Sequence, residues 1–180
     1  EATMRACMER LNCRVMQGYG MTEASGATHM HRSETPIEKL NSVGCCVSNS
    51  ETMIVDVASG QALGPNQQGE VWTRGPNIMR GYLNRPEDTK ACLDAEGWYH
   101  TGDIGYMDAD GYLYIVDRLK ELIKYSGYQV PPAELEAVLV SHPAVADAAV
   151  IPSPDEEHGE VPKAFVVKRS EVSAEQLMAY

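Results

Sequence analysis

Apolar residues open the chain at 3-, 4- and 7-residue spacing. Met4, Cys7, Met8 and Leu11 share one face, which predicts a helix over residues 1–11. Cys13-Arg14-Val15-Met16 then reads as a short buried strand leading into a Gln17-Gly18-Tyr19-Gly20 turn, and residues 24–42 are polar and loop-like. From 43 to 116 the pattern is one of short strands, clearest at 52–57 and 70–74. Gly60, Gly64-Pro65, Gly69, Gly75-Pro76 and Asp110-Gly111 punctuate them. One helix is expected near 86–93, with Pro86 in its first turn, where a missing N–H costs nothing. After Asp117 the character changes. Pro131-Pro132 starts a helix with Leu135, Val138 and Leu139 as an apolar stripe, ended by His142-Pro143, and strands follow at 145–151 and 164–168. Ser173-Ala-Glu-Gln176 is a capping box that should start another helix. The expected fold is mixed α and β. Residues 1–42 read as the end of an α/β region, 43–117 as a small β-barrel or distorted sandwich, and 118–180 as a small α/β domain. Both ends read as cut, as in a piece of a longer protein.

Composition narrows the function classes. A net charge of −11 argues against non-specific nucleic-acid or membrane-surface binding, which asks for a basic face. No apolar run approaches the roughly 20 residues needed to cross a bilayer. No signal-peptide pattern opens the chain, and the five cysteines are odd in number without Cys-x-x-Cys spacing. They read as reduced side chains behaving as small hydrophobes. The expected setting is cytoplasmic, with a peroxisomal or mitochondrial matrix also compatible.

Against that acidic background, Arg118, Lys120 and Lys124 concentrate positive charge in a short segment after the strand expected at 112–116. An anionic partner such as a nucleotide or acyl phosphate would account for it; so would a solvated basic edge. In Gln17-Gly18-Tyr19-Gly20-Met21-Thr22-Glu23, two glycines allow close backbone approach and an aromatic ring offers stacking. A hydroxyl and a carboxylate follow, suited to phosphate and Mg²⁺. An ordinary tight turn is the alternative, and neither a dinucleotide fingerprint nor a P-loop is present. Thr101-Gly102-Asp103 offers a carboxylate for ribose hydroxyls, or merely a turn-stabilising Asp. Asp108-Ala109-Asp110-Gly111 reads as a hairpin turn and His29-Met30-His31 as a polar loop, with no third ligand that would make a metal site. No Gly-x-Ser-x-Gly elbow or recognisable Cys/His pair supplies a nucleophile. Such a site fits an enzyme whose substrates attack each other.

With these motifs in order (QGYGMTE, GEVWTRGPNIMRGYLNRPEDT, GWYHTGD and YIVDRLKELIKYSGYQVPPAELE), the chain resembles the acyl- and aryl-CoA synthetases of the adenylate-forming superfamily. Its members include 4-coumarate–CoA ligases, medium-chain acyl-CoA synthetases and firefly luciferase. The resemblance implies a C-terminal portion: the end of an AMP-binding region, its β-barrel subdomain, and the start of a mobile C-terminal domain hinged at 117–120. It implies ATP, Mg²⁺ and coenzyme A acting on a small-molecule carboxylic acid, activated first as an acyl-adenylate. By position, Gln17, Gly18 and Tyr19 would line the adenine, Gly20 would lie at the nucleotide site and touch the acyl group, Thr22 would bond the α-phosphate and Glu23 would hold Mg²⁺. Asp103 and Arg118 would hold the ribose. Met21 and Met30 would border the acid. Lys120, Lys124 and Gln129 would serve the second half-reaction, and Ser126-Gly127 would lie near coenzyme A. Many relatives carry lysine where this chain has Ser126. The resemblance also places the pyrophosphate-gripping loop and the catalytic lysine outside these 180 residues, so the chain alone is expected to be inactive. A carrier-protein thiol, a luciferase-like oxidation, or an adenylate-binding protein without chemistry remain open alternatives.

Overall fold

The computed structural model describes residues 2–180, with side chains from Met4 onward. It divides into two compact units, one ending at Ile115 and the other running Val116–Tyr180.

The first unit is built on seven strands: β1 (Gly18–Met21), β2 (Gly26–Met30), β3 (Gly44–Cys46), β4 (Glu51–Val55), β5 (Gly69–Arg74), β6 (Tyr99–Met107) and β7 (Tyr112–Arg118), whose last residues belong to the second unit. They form one sheet in the order β1-β2-β3-β7-β6-β5-β4. Thus β1 and β2, from the segment expected to close an α/β region, share a sheet with the strands expected to form a barrel. Ile54, Val71 and Leu113 are buried at its centre, and Tyr19, Val43, Leu63, Met107 and Ile115 pack against them. Two helices flank the strands: α1 (Ala2–Leu11) and α2 (Pro86–Cys92), the latter with Pro86 in its first turn. The apolar stripe of α1 is only half-buried at Met4, Cys7 and Met8 and exposed at Leu11.

Three expectations are corrected here. Residues 13–16 form no strand; Cys13, Arg14 and Met16 are exposed. The β1–β2 pairing ends at Gln17 and His31, where the His31 N–H still donates to the Gln17 carbonyl (2.9 Å) but the Gln17 N–H turns to the His31 imidazole (3.1 Å). Residues 17–20 are not a turn but the entry to β1. There Gly20 is required for strand packing, since a Cβ would sit 2.1 Å from the Gly26 carbonyl oxygen. His29-Met30-His31 belongs to β2 and its end, not to a polar loop, and both imidazoles are buried. His29 lies between Thr28 Oγ1 and Thr52 Oγ1, each 3.1 Å away, and burial lowers its pKa to about 4. His31 Nε2 meets Ser42 Oγ at 3.2 Å, and burial holds it below its ordinary value too.

The expected hairpin turn at 108–111 is present. Asp108 Oδ1 accepts the N–H groups of Asp110 (3.0 Å) and Tyr112 (2.9 Å), while Lys39 Nζ bridges Asp108 and Asp110 at 2.6 and 3.0 Å.

The second unit has a four-stranded sheet in the order β10-β11-β8-β9, from β8 (Ile123–Tyr125), β9 (Tyr128–Val130), β10 (Val145–Asp155) and β11 (Gly159–Lys168). Helix α3 (Pro132–Ser141) lies against β10, and the Glu136 carboxylate accepts the Val150 N–H at 2.8 Å. Val138 of the expected apolar stripe is exposed. Strands β10 and β11 run well beyond the expected 145–151 and 164–168. The reason is register: Pro152 lies opposite Pro162. Two residues without N–H groups can only oppose each other at a pair that exchanges no hydrogen bonds, so the prolines cost the ladder nothing. Helix α4 (Ala174–Met178) carries the expected capping box: Ser173 Oγ accepts the Gln176 N–H, and Gln176 Oε1 accepts the Ser173 N–H.

No described helix is long and apolar enough to cross a membrane. The five cysteines are free, and the described residues hold no cluster of three metal-type ligands.

Candidate functional site

The Thr101-Gly102-Asp103 motif sits inside β6, not after a turn. Glu70 pairs with Ile104 and Trp72 with His100, so three residues of β6 oppose Val71 alone. Bulges of this kind re-aim side chains next to active sites. Gly102 has φ +71°, the left-handed region open to glycine. The Thr101 hydroxyl donates to the Val71 carbonyl (2.7 Å) and accepts the Asp103 N–H (3.1 Å). The Gly102 N–H donates to Glu70 Oε1 at 3.0 Å, and the Trp72 indole donates to Glu70 Oε2 at 2.8 Å.

This bulge turns Asp103 toward β1, where the Tyr19 hydroxyl donates to Asp103 Oδ2 at 2.5 Å. The structure therefore unites two motifs that lie 84 positions apart in sequence. Tyr19 is half-buried, its ring 6.0 Å from that of His29 and against the sheet's core. After β1 the chain makes a 3-10 turn, Thr22–Ala24, closed by Ser25 in a left-handed conformation. A loop from residues 75–82 clasps it: the Met79 N–H donates to the Glu23 carbonyl (2.7 Å) and the Asn77 amide to the Ala24 carbonyl (3.0 Å). The Tyr82 hydroxyl donates to Glu23 Oε1 at 2.7 Å and is raised above its ordinary pKa, first by that bond. Tyr99, buried nearby, is also raised above its ordinary pKa, first by desolvation. With its proton kept at neutral pH, the Tyr82 phenol is a fixed donor to the Glu23 carboxylate.

Other expected residues sit apart from this group. The Gln17 side-chain amide donates to the Leu40 carbonyl (2.7 Å) and the Met4 sulfur (3.0 Å). Gly18 pairs with Met30, which is exposed, and Met21 pairs with Gly26.

In the second unit, Arg118 to Glu121 form a turn in which the Glu121 N–H donates to the Arg118 carbonyl (2.9 Å). The Asp117 carboxylate accepts the Arg118 N–H (2.7 Å) and the Ala133 N–H at the start of α3 (3.2 Å). Lys120, in the turn, is exposed. Lys124 and Gln129 are direct cross-strand partners on β8 and β9, both exposed. Ser126 and Gly127, both at positive φ (48° and 85°), make the two-residue turn between them. The Ser126 hydroxyl lies 2.9 Å from His158 Nδ1, whose ring sits against Tyr125. Sequence reasoning missed Glu70, Tyr82, Tyr99 and His158. The quoted motifs contained Glu70, Tyr82 and Tyr99, with no role attached to any of them.

An AMP-binding enzyme profile matches residues 1–83, and the AMP-binding enzyme C-terminal domain matches residues 134–180, in the order the two units follow. The chain belongs to the AMP-binding enzyme family. Within that family it is 52% identical over 168 residues to a 4-coumarate–CoA ligase of Pinus taeda, covering 91% of this chain and 31% of the relative. The AMP-binding enzyme chain is also similar to o-succinylbenzoate CoA synthetase of Bacillus subtilis. The structure solved with the acyl-adenylate intermediate matches with TM-score 0.86 and 39% identity, over 99% of this chain and 36% of that one. The structure with ATP and magnesium ion matches with TM-score 0.84, 39% identity and the same coverage. The chain thus spans about a third of the length of these relatives.

Proposed function

We propose that the chain is part of an AMP-forming carboxylate–CoA ligase. Its first unit contributes to the nucleotide site, and its second unit contributes groups to the thioester-forming step. The observation that carries this reading is the 2.5 Å Tyr19–Asp103 hydrogen bond, which joins the two motifs the family uses around a nucleotide. A carboxylate accepts up to about four hydrogen bonds, so the Tyr19 hydroxyl takes only a share of that capacity. Asp103 would accept from the ribose hydroxyls while Tyr19 lies beside the base. Thr22 would donate to the α-phosphate, and Arg118 would assist at the ribose.

Glu23 suits Mg²⁺. Its carboxylate is oriented by Tyr82, and Mg²⁺ ordinarily takes one or two carboxylates with the remaining positions filled by water and substrate phosphates. A bound Mg²⁺ would neutralise phosphate charge. In the first step the acid's carboxylate oxygen attacks the α-phosphorus, forming a C–O–P linkage as the bond to pyrophosphate breaks. In the second, the coenzyme A sulfur attacks the acyl carbon and AMP leaves. Lys124 and Gln129, held side by side across the β8–β9 hairpin, would reach the site for the second step, with Ser126-Gly127 near the coenzyme A entrance.

The test uses the full-length protein with Mg·ATP and 4-coumarate, the acid named for the Pinus taeda relative, followed by a panel of other carboxylic acids. Acyl-adenylate by mass spectrometry, then acyl-CoA when coenzyme A is added, is the expected result. ATP turnover without acyl-adenylate for any acid would overturn the reading.

The turn at Arg118–Glu121 makes a second prediction. Lys120→Pro fixes φ within that turn and should hold the second unit in one orientation. Adenylation is expected to survive while thioester formation falls at least about tenfold, roughly 1.4 kcal/mol of barrier. Single-turnover assays with acid and ATP, and with preformed acyl-adenylate plus coenzyme A, separate the steps. Equal losses in both would move the hinge elsewhere.

A further inference from the structure

We infer that Glu70 is a positioning residue for the nucleotide site, holding the Thr101-Gly102-Asp103 bulge in the form that presents Asp103. This rests on the nucleotide reading above and goes one layer behind it.

Where three residues of β6 oppose Val71, the regular ladder cannot take every N–H, and a half-buried N–H left unpaired is costly. Side chains take the two that matter: Glu70 accepts from Gly102 (3.0 Å) and Thr101 Oγ1 accepts from Asp103 (3.1 Å). The Thr101 bond is made within the bulge and travels with it. Two bonds tie the bulge to the neighbouring strand, the Thr101 hydroxyl to the Val71 carbonyl (2.7 Å) and the Gly102 N–H to Glu70, and the second is the one a side chain of that strand supplies.

Glu70 is itself held. Its second oxygen accepts from the Trp72 indole at 2.8 Å, and Trp72 stacks on His100 with ring centroids 3.6 Å apart and planes 9° apart. His100 is the residue immediately before the bulge. The carboxylate therefore lies in a closed circuit of Gly102, Glu70, Trp72 and His100, which grips the bulge from both sides. Asp103 follows directly, and its Oδ2 must meet the Tyr19 hydroxyl at 2.5 Å, so a small shift of Gly102 moves the one carboxylate the ribose would use.

Both oxygens of Glu70 face donors, and this chooses the variant. Glutamine has the same shape but offers one oxygen and one NH₂, so Glu70→Gln satisfies one donor and confronts the other with a second donor. With full-length protein, calorimetry is expected to show ATP affinity about tenfold weaker in Glu70→Gln, with the acid's affinity within about twofold of the parent. Because Glu70 acts through Asp103, adding Glu70→Gln to Asp103→Ala should cost no further ATP affinity. A residue that merely stabilised the fold would give losses that multiply. If Glu70→Gln does not fold, Trp72→Phe removes the indole donor together with part of the ring stacked on His100, and loosens the carboxylate. It should weaken ATP about threefold, again with no effect in the Asp103→Ala background. Multiplying losses, or an unaffected Glu70→Gln beside a weakened Asp103→Ala, overturn this inference alone. An Asp103→Ala protein with unchanged ATP affinity overturns the nucleotide reading and this inference with it.

Discussion

Asp103→Ala is expected to weaken ATP binding to the full-length protein by roughly 1.5–3 kcal/mol, the range for hydrogen bonds to a charged group. That is about one to two powers of ten in Kd. Two losses combine in this figure. The ribose hydroxyls lose their acceptor, and the half-buried Tyr19 hydroxyl loses the carboxylate that fixes it at 2.5 Å, freeing the ring expected beside the base. The bulge should persist, because the bonds that hold it run from the Thr101 hydroxyl to the Val71 carbonyl, from the Gly102 N–H to Glu70 and from the Asp103 N–H to Thr101, and none of them uses the Asp103 side chain. The apparent affinity for the acid should therefore change far less. Calorimetric titration with ATP measures the effect directly. An unchanged Kd would remove Asp103 from the nucleotide site.

The second large effect concerns pH and the floor beneath Tyr19. His29 is fully buried between two threonine hydroxyls, and burial lowers its pKa from 6.5 to about 4. Its folded pKa lies below its unfolded one, so between these values the unfolded chain binds more protons than the folded one. The first unit should thus keep full stability above about pH 6.5 and lose it progressively as the pH falls toward 4, by on the order of 3 kcal/mol. His31, also lowered by burial, adds in the same direction. Urea unfolding of the chain at several pH values, compared with His29→Gln, isolates the contribution. The variant should be less stable at pH 7 yet show a shallower fall between pH 6.5 and 4. Parallel curves would mean that His29 is not held neutral by the fold. The same protonation should disturb Tyr19, whose ring sits 6.0 Å from the imidazole, so ATP affinity is expected to weaken before global unfolding.

Most helices and strands were legible because their patterns are strong and local: the 86–93 helix, the strands near 52–57 and 70–74, the Asp108–Gly111 turn and the Ser173 capping box all occur close to where the sequence puts them. What the sequence hid is non-local. β2 reads as polar because Thr28 bonds the Tyr19 carbonyl, His29 meets the Thr52 hydroxyl of β4, and His31 just after the strand meets Ser42. Strands β10 and β11 read short because proline is a strand-breaking signal, and only the register shows that Pro152 and Pro162 face each other. Tyr19 and Asp103 were both suggested by their motifs and by family resemblance, but their contact follows from sheet order. Glu70 was invisible as a functional residue, since a carboxylate two positions before a tryptophan looks like any solvated strand residue until the bulge opposite it is seen.

The paired prolines have a further consequence, for how the second unit behaves beside other copies of itself. β10 lies at one margin of its sheet. Along an antiparallel margin strand, every second N–H points outward and invites a foreign strand. On β10 those outward positions fall at 148, 150, 152 and 154. The Ala148 N–H is taken by the Asp147 carboxylate and the Val150 N–H by Glu136, while Pro152 and Pro154 have none to give. Four successive docking points are thus silenced, two by acid and two by ring closure. An incoming chain finds carbonyl acceptors there but no row of donors, and the margin resists fibril-type stacking without a covering layer.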